Sequence, residues 1–186
     1  FLGLESIGPV QVVIHPDDMP LYHEAIAGVS DSRLLPPVGG GETRAKSVTC
    51  GLRALEAQAL DCVLVHDAAR PFVSDRIIGD ILAVLETGTA AFAALPIVDA
   101  LWRVEEGAVL SPVAREGLWR AQTPQGFPFA PLLAAHLDYQ GEAADDVQIA
   151  RAMGMTVQVV TGAPENFKIT SPGDLEEAER IVAQQG

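Results

Sequence analysis

A short apolar run that ends in charged and small residues constrains this chain more than any other feature. Residues 61–72 read DCVLVHDAARPF, and the change from apolar to polar character falls at His66. Such a run is typical of a strand buried on both faces of a parallel sheet. Because ligands of α/β sheets bind outside the carboxyl ends of the strands, Asp67 and Arg70 become candidates for a binding site.

The chemistry of Asp67 and Arg70 suits a phosphorylated ligand. A carboxylate can hold a metal ion or a sugar hydroxyl, and a guanidinium can bind phosphate through two parallel hydrogen bonds. An ion pair that only ties down a loop explains the same two residues, because surface ion pairs are common and contribute about 0 to 1 kcal/mol. Taken alone, the pair leaves both interpretations open.

Apolar runs and helical patterns alternate along the first hundred residues. The apolar runs, each bounded by proline or a charged residue, lie at 10–16, 61–65 and 90–99. Segments with helical spacing lie between or beside them, at 21–27, 49–58 and 74–86. This alternation predicts an α/β fold with a layered, mostly parallel sheet. Residues 34–38 contain two prolines and are expected at a sheet edge or in an extended loop.

A glycine-rich segment at 39–48 is the second candidate for ligand binding. Three consecutive glycines free the backbone to approach a ligand, and a helix start just beyond offers unpaired N–H groups. Arg44 and Ser47 are placed where the polar edges of a nucleotide can reach them. The alternative is a glycine turn followed by a capped helix, and the spacing matches neither the dinucleotide fingerprint nor a P-loop.

The alternation of predicted strands and helices stops after residue 99. Short apolar runs separated by charged residues leave no room for a helix and predict an antiparallel arm at about 99–122. The arm carries Trp102 and Trp119, and an aromatic-bearing arm often contacts a partner subunit. A β meander packed on its own domain is the alternative.

The last third of the chain adds three further expectations. Residues 123–128 predict a constrained turn that leads into a helix. Asp145 and Asp146 precede a helical pattern, either as partners of the helix dipole or as metal ligands. Lys168 is expected inside a short strand at 166–170, where an inward-facing ammonium requires an anion.

Length and composition limit the class of protein. The 186 residues fit one domain, and the net charge of −13 opposes an extended contact with nucleic acid but not the binding of a small anion. No apolar run approaches the roughly 20 residues of a membrane helix, so we expect no membrane contact and a cytoplasmic protein. Cys50 and Cys62 are expected to be reduced, and no zinc-type spacing is present.

Four ordered blocks closely resemble the methylerythritol-phosphate cytidylyltransferases of isoprenoid precursor synthesis. They are GGETRAKSV at 40–48, VHDAARP at 65–71, GLWRAQTPQ at 117–125 and NFKIT at 166–170. The resemblance extends from Val10 to the last helix. It implies a Rossmann-like three-layer α/β/α nucleotidyltransferase fold, a mostly parallel twisted sheet with a protruding β arm, and a single domain over residues 1–186.

The resemblance also implies an activity and a set of site residues. The family transfers a cytidylyl group from CTP to 2-C-methyl-D-erythritol 4-phosphate, releases pyrophosphate and uses Mg²⁺. The positions implied to bind the nucleotide are Gly40, Gly41, Glu42, Ser47 and Asp67, and Asp67 is also the implied metal ligand. Those implied to bind the phosphorylated substrate are Asp67, Arg70, Arg115, Thr123 and Lys168. Of these, Arg115 and Lys168 are implied to be catalytic by positioning the substrate. Arg115 is expected to reach the partner's site in a homodimer formed through the arm, with Thr123 nearby.

Two departures from the family pattern lead to further expectations. The family opens with a strand and a glycine-rich loop carrying an arginine and a lysine, and this chain begins after them, so as given it is expected to be nearly inactive. Ala100 follows Asp99 where the family often has threonine. Ala100 leaves room for another polyol phosphate, such as ribitol 5-phosphate, and a non-catalytic dimerisation domain is a further alternative. Some family members continue into a cyclodiphosphate synthase domain.

Overall fold

The computed structural model describes residues 1–185 and is built from eight strands and six α-helices in that range. In chain order they are β1 (Val13–Ile14), α1 (Met19–Ala25), β2 (Val38–Gly39), α2 (Arg44–Leu55), β3 (Cys62–Val65), α3 (Asp75–Leu85), β4 (Ala90–Pro96), β5 (Leu101–Glu105), β6 (Ala108–Val113), β7 (Trp119–Pro128), α4 (Phe129–Asp138), α5 (Asp146–Ala152), β8 (Val157–Thr161) and α6 (Pro172–Gln185). The predicted alternation of strands and helices is confirmed.

The central sheet has four strands in the order β3, β7, β4, β8. β4 and β8 are parallel neighbours, whereas β7 runs antiparallel to both β3 and β4. Three of the four strands therefore share one direction, and β7 is reversed between two of them. The short β1 and β2 form a separate parallel pair, extended by a bridge between Val10 and Leu34. The strand predicted at 10–16 is thus present in shortened form.

Helices cover both faces of the central sheet. Leu52 of α2, Leu132 of α4 and Ala150 of α5 pack on one face around Phe127. Ile77, Ile81 and Leu85 of α3 form the core on the other face. Alternate residues of β3 contribute to the two clusters, as the two-residue period of a strand requires. This arrangement gives the expected three-layer α/β/α fold.

The prediction of a turn at 123–128 is wrong, because this segment belongs to the long strand β7. The pairing of β4 with β7 shifts between Phe92 and Ala94, and residues 122–124 of β7 bulge out of the ladder there. Pro124 has no N–H group to donate, so a bulge is one of the few places inside a sheet that accepts it. Gly126 is needed because a Cβ there would lie 2.5 Å from Cγ2 of Ile81.

Two other local predictions also need correction. The helix expected to begin at residue 49 begins at Arg44, and the side chain of Thr43 caps it by accepting from the Lys46 amide. The strand expected at 166–170 is a loop, fixed by a hydrogen bond from the Ile169 amide to the carbonyl of Ala69. That bond ties the Lys168 loop to the segment after β3.

Residues 101–113 form a two-stranded hairpin that pairs with no other strand in the described chain. Its turn uses positive φ angles at Glu106 and Gly107. From Trp119 onwards the chain returns to the central sheet, where Trp119 pairs with Pro96. None of the helices in residues 1–185 combines the length and the apolar composition needed to cross a membrane.

Candidate active site

Asp67 lies at the carboxyl end of β3, where its position is fixed by β7. The Asp67 amide donates to Oγ1 of Thr123 at 3.0 Å, and the same oxygen lies 3.1 Å from Nδ1 of His66. Nε2 of His66 lies 2.9 Å from the carbonyl oxygen of Arg70. A carbonyl can only accept, so Nε2 carries the proton and Thr123 donates to Nδ1. Burial lowers the pKa of His66, in agreement with this neutral tautomer.

Three cationic side chains from different segments converge on the Asp67 carboxylate. Nζ of Lys168 lies 3.0 Å from Oδ2, Nε of Arg44 donates to Oδ1 at 3.2 Å, and Nε of Arg70 lies 3.8 Å from Oδ2. Burial tends to raise the pKa of Asp67, but Lys168 and Arg44 outweigh it, and the net shift is downward. The carboxylate is therefore ionised and leaves an excess of positive charge that suits phosphate.

Arg70 is partly buried and has a hydrogen-bond donor left over. Its Nη1 donates to the carbonyl of Asn166 at 2.8 Å, which links it to the Lys168 loop. Its Nε is buried and has no hydrogen-bond partner in the described part of the chain. Burial lowers the pKa of Arg70, and the nearby Asp67 opposes that shift. A partly desolvated guanidinium that keeps unused N–H groups can donate them to a phosphate oxygen.

The bulged part of β7 organises the loops that carry these charges. Nε2 of Gln122 donates to the carbonyls of Ala163 and Asn166, at 2.8 and 3.1 Å. Nδ2 of the fully buried Asn166 donates in turn to the carbonyl of Thr123 at 2.8 Å. A Cβ at Gly162 would lie 2.1 Å from Oε1 of Gln122, so glycine is required for this contact. The β7 bulge therefore holds Lys168 opposite Asp67.

Gln122 and Asn166 were not identified as site residues from the sequence. Both occur inside the resembling blocks, GLWRAQTPQ and NFKIT, which is the signal that could have found them. Their polar side chains are buried, and buried amides are retained where they satisfy backbone groups. Their side chains support the site by bonding to the backbone and to each other.

The glycine-rich segment forms a closed loop before α2. The Gly41 amide donates to Oγ of Ser47 at 3.1 Å, while that hydroxyl lies within reach of the carbonyls of Gly41 and Thr43. A Cβ at Gly41 would lie 2.5 Å from Cβ of Lys46, and one at Gly40 would lie 2.8 Å from Oγ of Ser47. Ser47 thus shapes the loop through its own hydrogen bonds.

Glu42 and Lys46 lie on the exposed side of this loop. Nζ of Lys46 is 2.5 Å from Oε2 of Glu42, and the hydrogen bond from Lys46 lowers the pKa of that carboxyl. Both side chains are largely exposed, so the ion pair contributes little to stability.

The two acidic residues before α5 have separate roles. Asp145 caps the helix, because its Oδ1 accepts from the Gln148 amide at 3.0 Å. Asp146 is fully buried, and its carboxylate contacts Arg44 and His136. Within residues 1–185 no group of three or more His, Cys, Asp or Glu side chains could hold a metal ion. Both residues lie at the N-terminus of α5, as the helix-dipole interpretation expects, with Asp145 at the N-cap and Asp146 in the first turn.

Arg115 lies apart from these contacts in its own chain. It follows the hairpin, and its Nη1 donates to the carbonyl of Val98 at the base of the hairpin. Arg115 forms no ion pair with any side chain described here. The structure therefore brings Asp67, Arg70, Thr123 and Lys168 together and leaves Arg115 outside the cluster.

The single carboxylate of Asp67 is compatible with Mg²⁺ on chemical grounds. Mg²⁺ favours oxygen ligands and commonly uses only one or two protein carboxylates, with the rest from water and substrate phosphates. Both oxygens of Asp67 already face cations, so an incoming metal ion would have to displace at least one of these contacts. Asp67 has the donor chemistry that Mg²⁺ takes, and its oxygens become available to an ion only when Arg44 or Lys168 gives up its contact.

The fold, which solved cytidylyltransferases share, places the chain among nucleotidyltransferases of the α/β class. The profile of one family, described as IspD: 2-C-methyl-D-erythritol 4-phosphate cytidylyltransferase, matches residues 1–184. The chain belongs to this family.

Named relatives agree with that assignment. The chain is 45% identical over 183 residues to a 2-C-methyl-D-erythritol 4-phosphate cytidylyltransferase of Cereibacter sphaeroides, covering 98% of this chain and 80% of the relative. It is 47% identical over 180 residues to a bifunctional enzyme IspD/IspF of Rhodobacter capsulatus, covering 97% of this chain and 46% of that protein. The second match places the likeness in about half of a larger enzyme.

Solved structures share the fold. The 2-C-methyl-D-erythritol 4-phosphate cytidylyltransferase of Thermus thermophilus superposes with a TM-score of 0.80 at 37% identity, over 96% of this chain and 84% of that one. The corresponding enzyme of Francisella tularensis gives a TM-score of 0.82 at 26% identity, over 97% and 83% of the two chains.

Proposed function

We propose that this chain transfers the cytidylyl group of CTP to 2-C-methyl-D-erythritol 4-phosphate and releases pyrophosphate, in the synthesis of isoprenoid precursors. The observation that carries the proposal is the convergence of Arg44, Arg70 and Lys168 on Asp67 at the end of β3. The family assignment supplies the substrates, and the cluster supplies a site with the charge that they need.

The reaction joins two phosphate groups and needs little covalent chemistry from the protein. An oxygen of the acceptor phosphate attacks the α-phosphorus of CTP in line, and the bond to the leaving pyrophosphate breaks. Catalysis of such a step depends on positioning and on the stabilisation of developing negative charge. We assign Lys168 and the guanidinium of Arg70 to the phosphate oxygens. The Gly40 and Gly41 loop, with Glu42 and Ser47, is assigned to the cytidine.

Mg²⁺ completes this proposal as the partner of the triphosphate. Asp67 would hold the ion, which when bound supplies charge neutralisation to the phosphates. Thr123 fixes the Asp67 backbone, so the carboxylate is already placed before the nucleotide arrives. Because the loop is already ordered, little conformational entropy is lost there when the substrate binds.

A homodimer formed through the hairpin is the second part of the proposal. The hairpin exposes Trp102, Val104, Val109 and Leu110, each more than half accessible in the isolated chain. Exposed apolar residues of this kind, grouped on one element, are typical of an interface. Arg115 follows the hairpin and would reach the acceptor phosphate in the partner's site.

Free Cys50 and Cys62 agree with a reducing compartment, and we propose that the protein acts in the cytoplasm.

The proposal is tested by measuring pyrophosphate release from CTP. The protein is expressed from its complete gene and assayed with Mg²⁺ and either 2-C-methyl-D-erythritol 4-phosphate or ribitol 5-phosphate. We expect kcat/KM to be at least a hundredfold higher with the methylerythritol phosphate. A preference for ribitol 5-phosphate would contradict the proposed acceptor and would connect the different acceptor with Ala100. Release with neither acceptor would favour a non-catalytic dimerisation domain.

A further inference from the structure

Arg44 joins two carboxylates that belong to different parts of the fold. It is the first residue of α2, and its Nε donates to Oδ1 of Asp67 at 3.2 Å. Its Nη2 lies 2.8 Å from Oδ2 of Asp146, the first residue of α5. The guanidinium is thus shared between the loop after β3 and the start of a helix more than 70 positions later.

The Asp146 end of this bridge is deeply buried. The Asp146 side chain has no accessible surface, and Nε2 of the almost fully buried His136 lies 3.1 Å from its Oδ1. Oδ2 of Asp146 therefore faces the Arg44 guanidinium and Oδ1 faces the His136 ring, away from water. Because a carboxylate only accepts, the contact with His136 is favourable when Nε2 carries a proton.

A buried carboxylate of this kind needs a reason to be there. Taking a charge out of water is costly, and apolar residues of similar size often stabilise a core as well or better. The Asp146 carboxylate is also fixed from the backbone side, since Oε1 of Gln125 accepts from the Asp146 amide at 3.2 Å. The backbone of Asp146 is therefore held in place, and its buried carboxylate connects to the cluster of the candidate active site through Arg44.

We propose that Asp146, backed by His136, is the anchor that positions Arg44, and that Arg44 thereby fixes the Asp67 carboxylate for the incoming nucleotide. This inference rests on the proposed role of Asp67 in nucleotide binding. Without the Asp146 anchor, the Arg44 guanidinium turns wholly towards Asp67 or away from it. In both cases the Asp67 carboxylate loses the orientation that the incoming nucleotide requires. Asp146 and His136 are positioning residues, because they act through Arg44 and do not contact the substrate.

The proposal predicts a specific pattern in a double-mutant cycle. Arg44→Lys and Asp146→Asn should each raise the Kd for CTP with Mg²⁺ about tenfold, and raise KM for CTP more than they lower kcat. The Kd for CTP of the double variant should not exceed that of the single variant with the higher Kd, because either change breaks the same bridge. His136→Gln should show a smaller rise, of about threefold. Arg53→Lys, an exposed position on the same helix, is the matched control and should behave as wild type.

A ligand-free measurement tests the anchor separately. The Nε–H resonance of Arg44, identified by its loss in Arg44→Lys, should exchange slowly with water in the wild type and rapidly in Asp146→Asn. Arg44→Lys keeps the positive charge at a side chain that is one-third exposed, so it remains informative if Asp146→Asn does not fold.

Three results would overturn the proposal. They are an unchanged CTP affinity in folded Arg44→Lys, additive losses in the double variant, and an Arg44 resonance that stays protected in Asp146→Asn. A wild type that binds no CTP would instead contradict the proposed function, while the resonance would still decide whether Asp146 holds Arg44.

Discussion

At the scale of single residues, the site depends on how many charges share one carboxylate. Asp67 faces three cations, and its pKa is lowered although burial acts in the opposite direction. Lys168 reaches Asp67 from a loop and keeps two-fifths of its side chain accessible, which leaves it able to contact a ligand as well. The whole chain carries a net charge of −13, so this cluster sets a local field opposite to the global one.

Lys168→Ala tests that local field. We expect kcat/KM for the acceptor phosphate to fall by roughly a hundredfold, the usual cost of removing one donor that stabilises developing charge. Steady-state kinetics with the acceptor varied at saturating CTP provides the measurement. Arg180→Ala removes a positive charge from the exposed face of α6 and should leave the kinetics unchanged. If the two variants behave alike, the lysine has only a structural role.

A second residue-scale prediction concerns the packing of α3 on β7. A Cβ at Gly126 would lie 2.5 Å from Ile81 and 2.9 Å from Leu85, inside a close-packed core. Gly126→Ala should therefore lower the free energy of unfolding by about 1 to 3 kcal/mol. Gly79→Ala on the exposed face of α3, where nothing lies within 4 Å, should raise it by about 0.5 to 1 kcal/mol. Urea denaturation of both variants would show opposite shifts, and equal shifts would contradict the packing argument.

At the scale of elements, the loop that carries Lys168 is held from both ends. Gln122 of β7 fixes it near Asn166, and the start of α6 fixes it beyond Thr170. Asp174 accepts from the amides of Thr170 and Ser171 at 2.9 Å each, and its own amide donates to Oγ of Ser171 at 3.3 Å. With Pro172 at the first helical position, this is a capping box.

The capping box gives a prediction about pH. Hydrogen bonds from the Thr170 amide and then the Ser171 and Thr170 side chains lower the pKa of Asp174 below its ordinary value of 3.8. A carboxyl whose folded pKa is depressed adds stability above its unfolded pKa, and that stability is lost as the pH falls through the folded pKa. Asp174→Asn should therefore melt at a lower temperature than wild type near pH 7. Thermal unfolding at a series of pH values should show the difference shrinking below pH 3.8, and a difference independent of pH would count against the assignment.

At the scale of the whole molecule, the exposed hairpin suggests that one chain is not the complete functional unit. Trp102 and Leu110 are 56% and 53% accessible, and Arg115 forms no ion pair in the described chain. A partner subunit would bury the apolar residues and give Arg115 an anionic ligand to bind. Both features then have one explanation.

Trp102→Glu tests the dimer. A buried, unpaired carboxylate at an interface is costly, so we expect the variant to be monomeric and to lose most of its activity. Light scattering after size exclusion would measure the mass. Leu21→Glu changes an exposed leucine on α1, at 65% accessibility, and should leave the mass unchanged. A monomeric and fully active wild type would contradict the dimer and the role of Arg115 together.

The sequence by itself determined the features that depend on neighbouring residues. The strand before Asp67 and the helix capped by Ser74 follow from short-range patterns of apolar and capping residues, and the structure confirms both. The polar end of β3 also indicated Asp67 and Arg70 as site residues, since the carboxyl end of a strand is where ligands bind.

Only the tertiary structure decided which distant residues meet at that strand end. Pro124 and Gly126 carry the local signal of a turn, yet β7 runs between β3 and β4 because the bulge accommodates the proline and α3 packs on the glycine. The local sequence pattern likewise does not predict that Arg44 contacts Asp146. Pairing across a sheet and between helices depends on shape and charge contributed from far along the chain, and a pattern read over a few residues does not contain it.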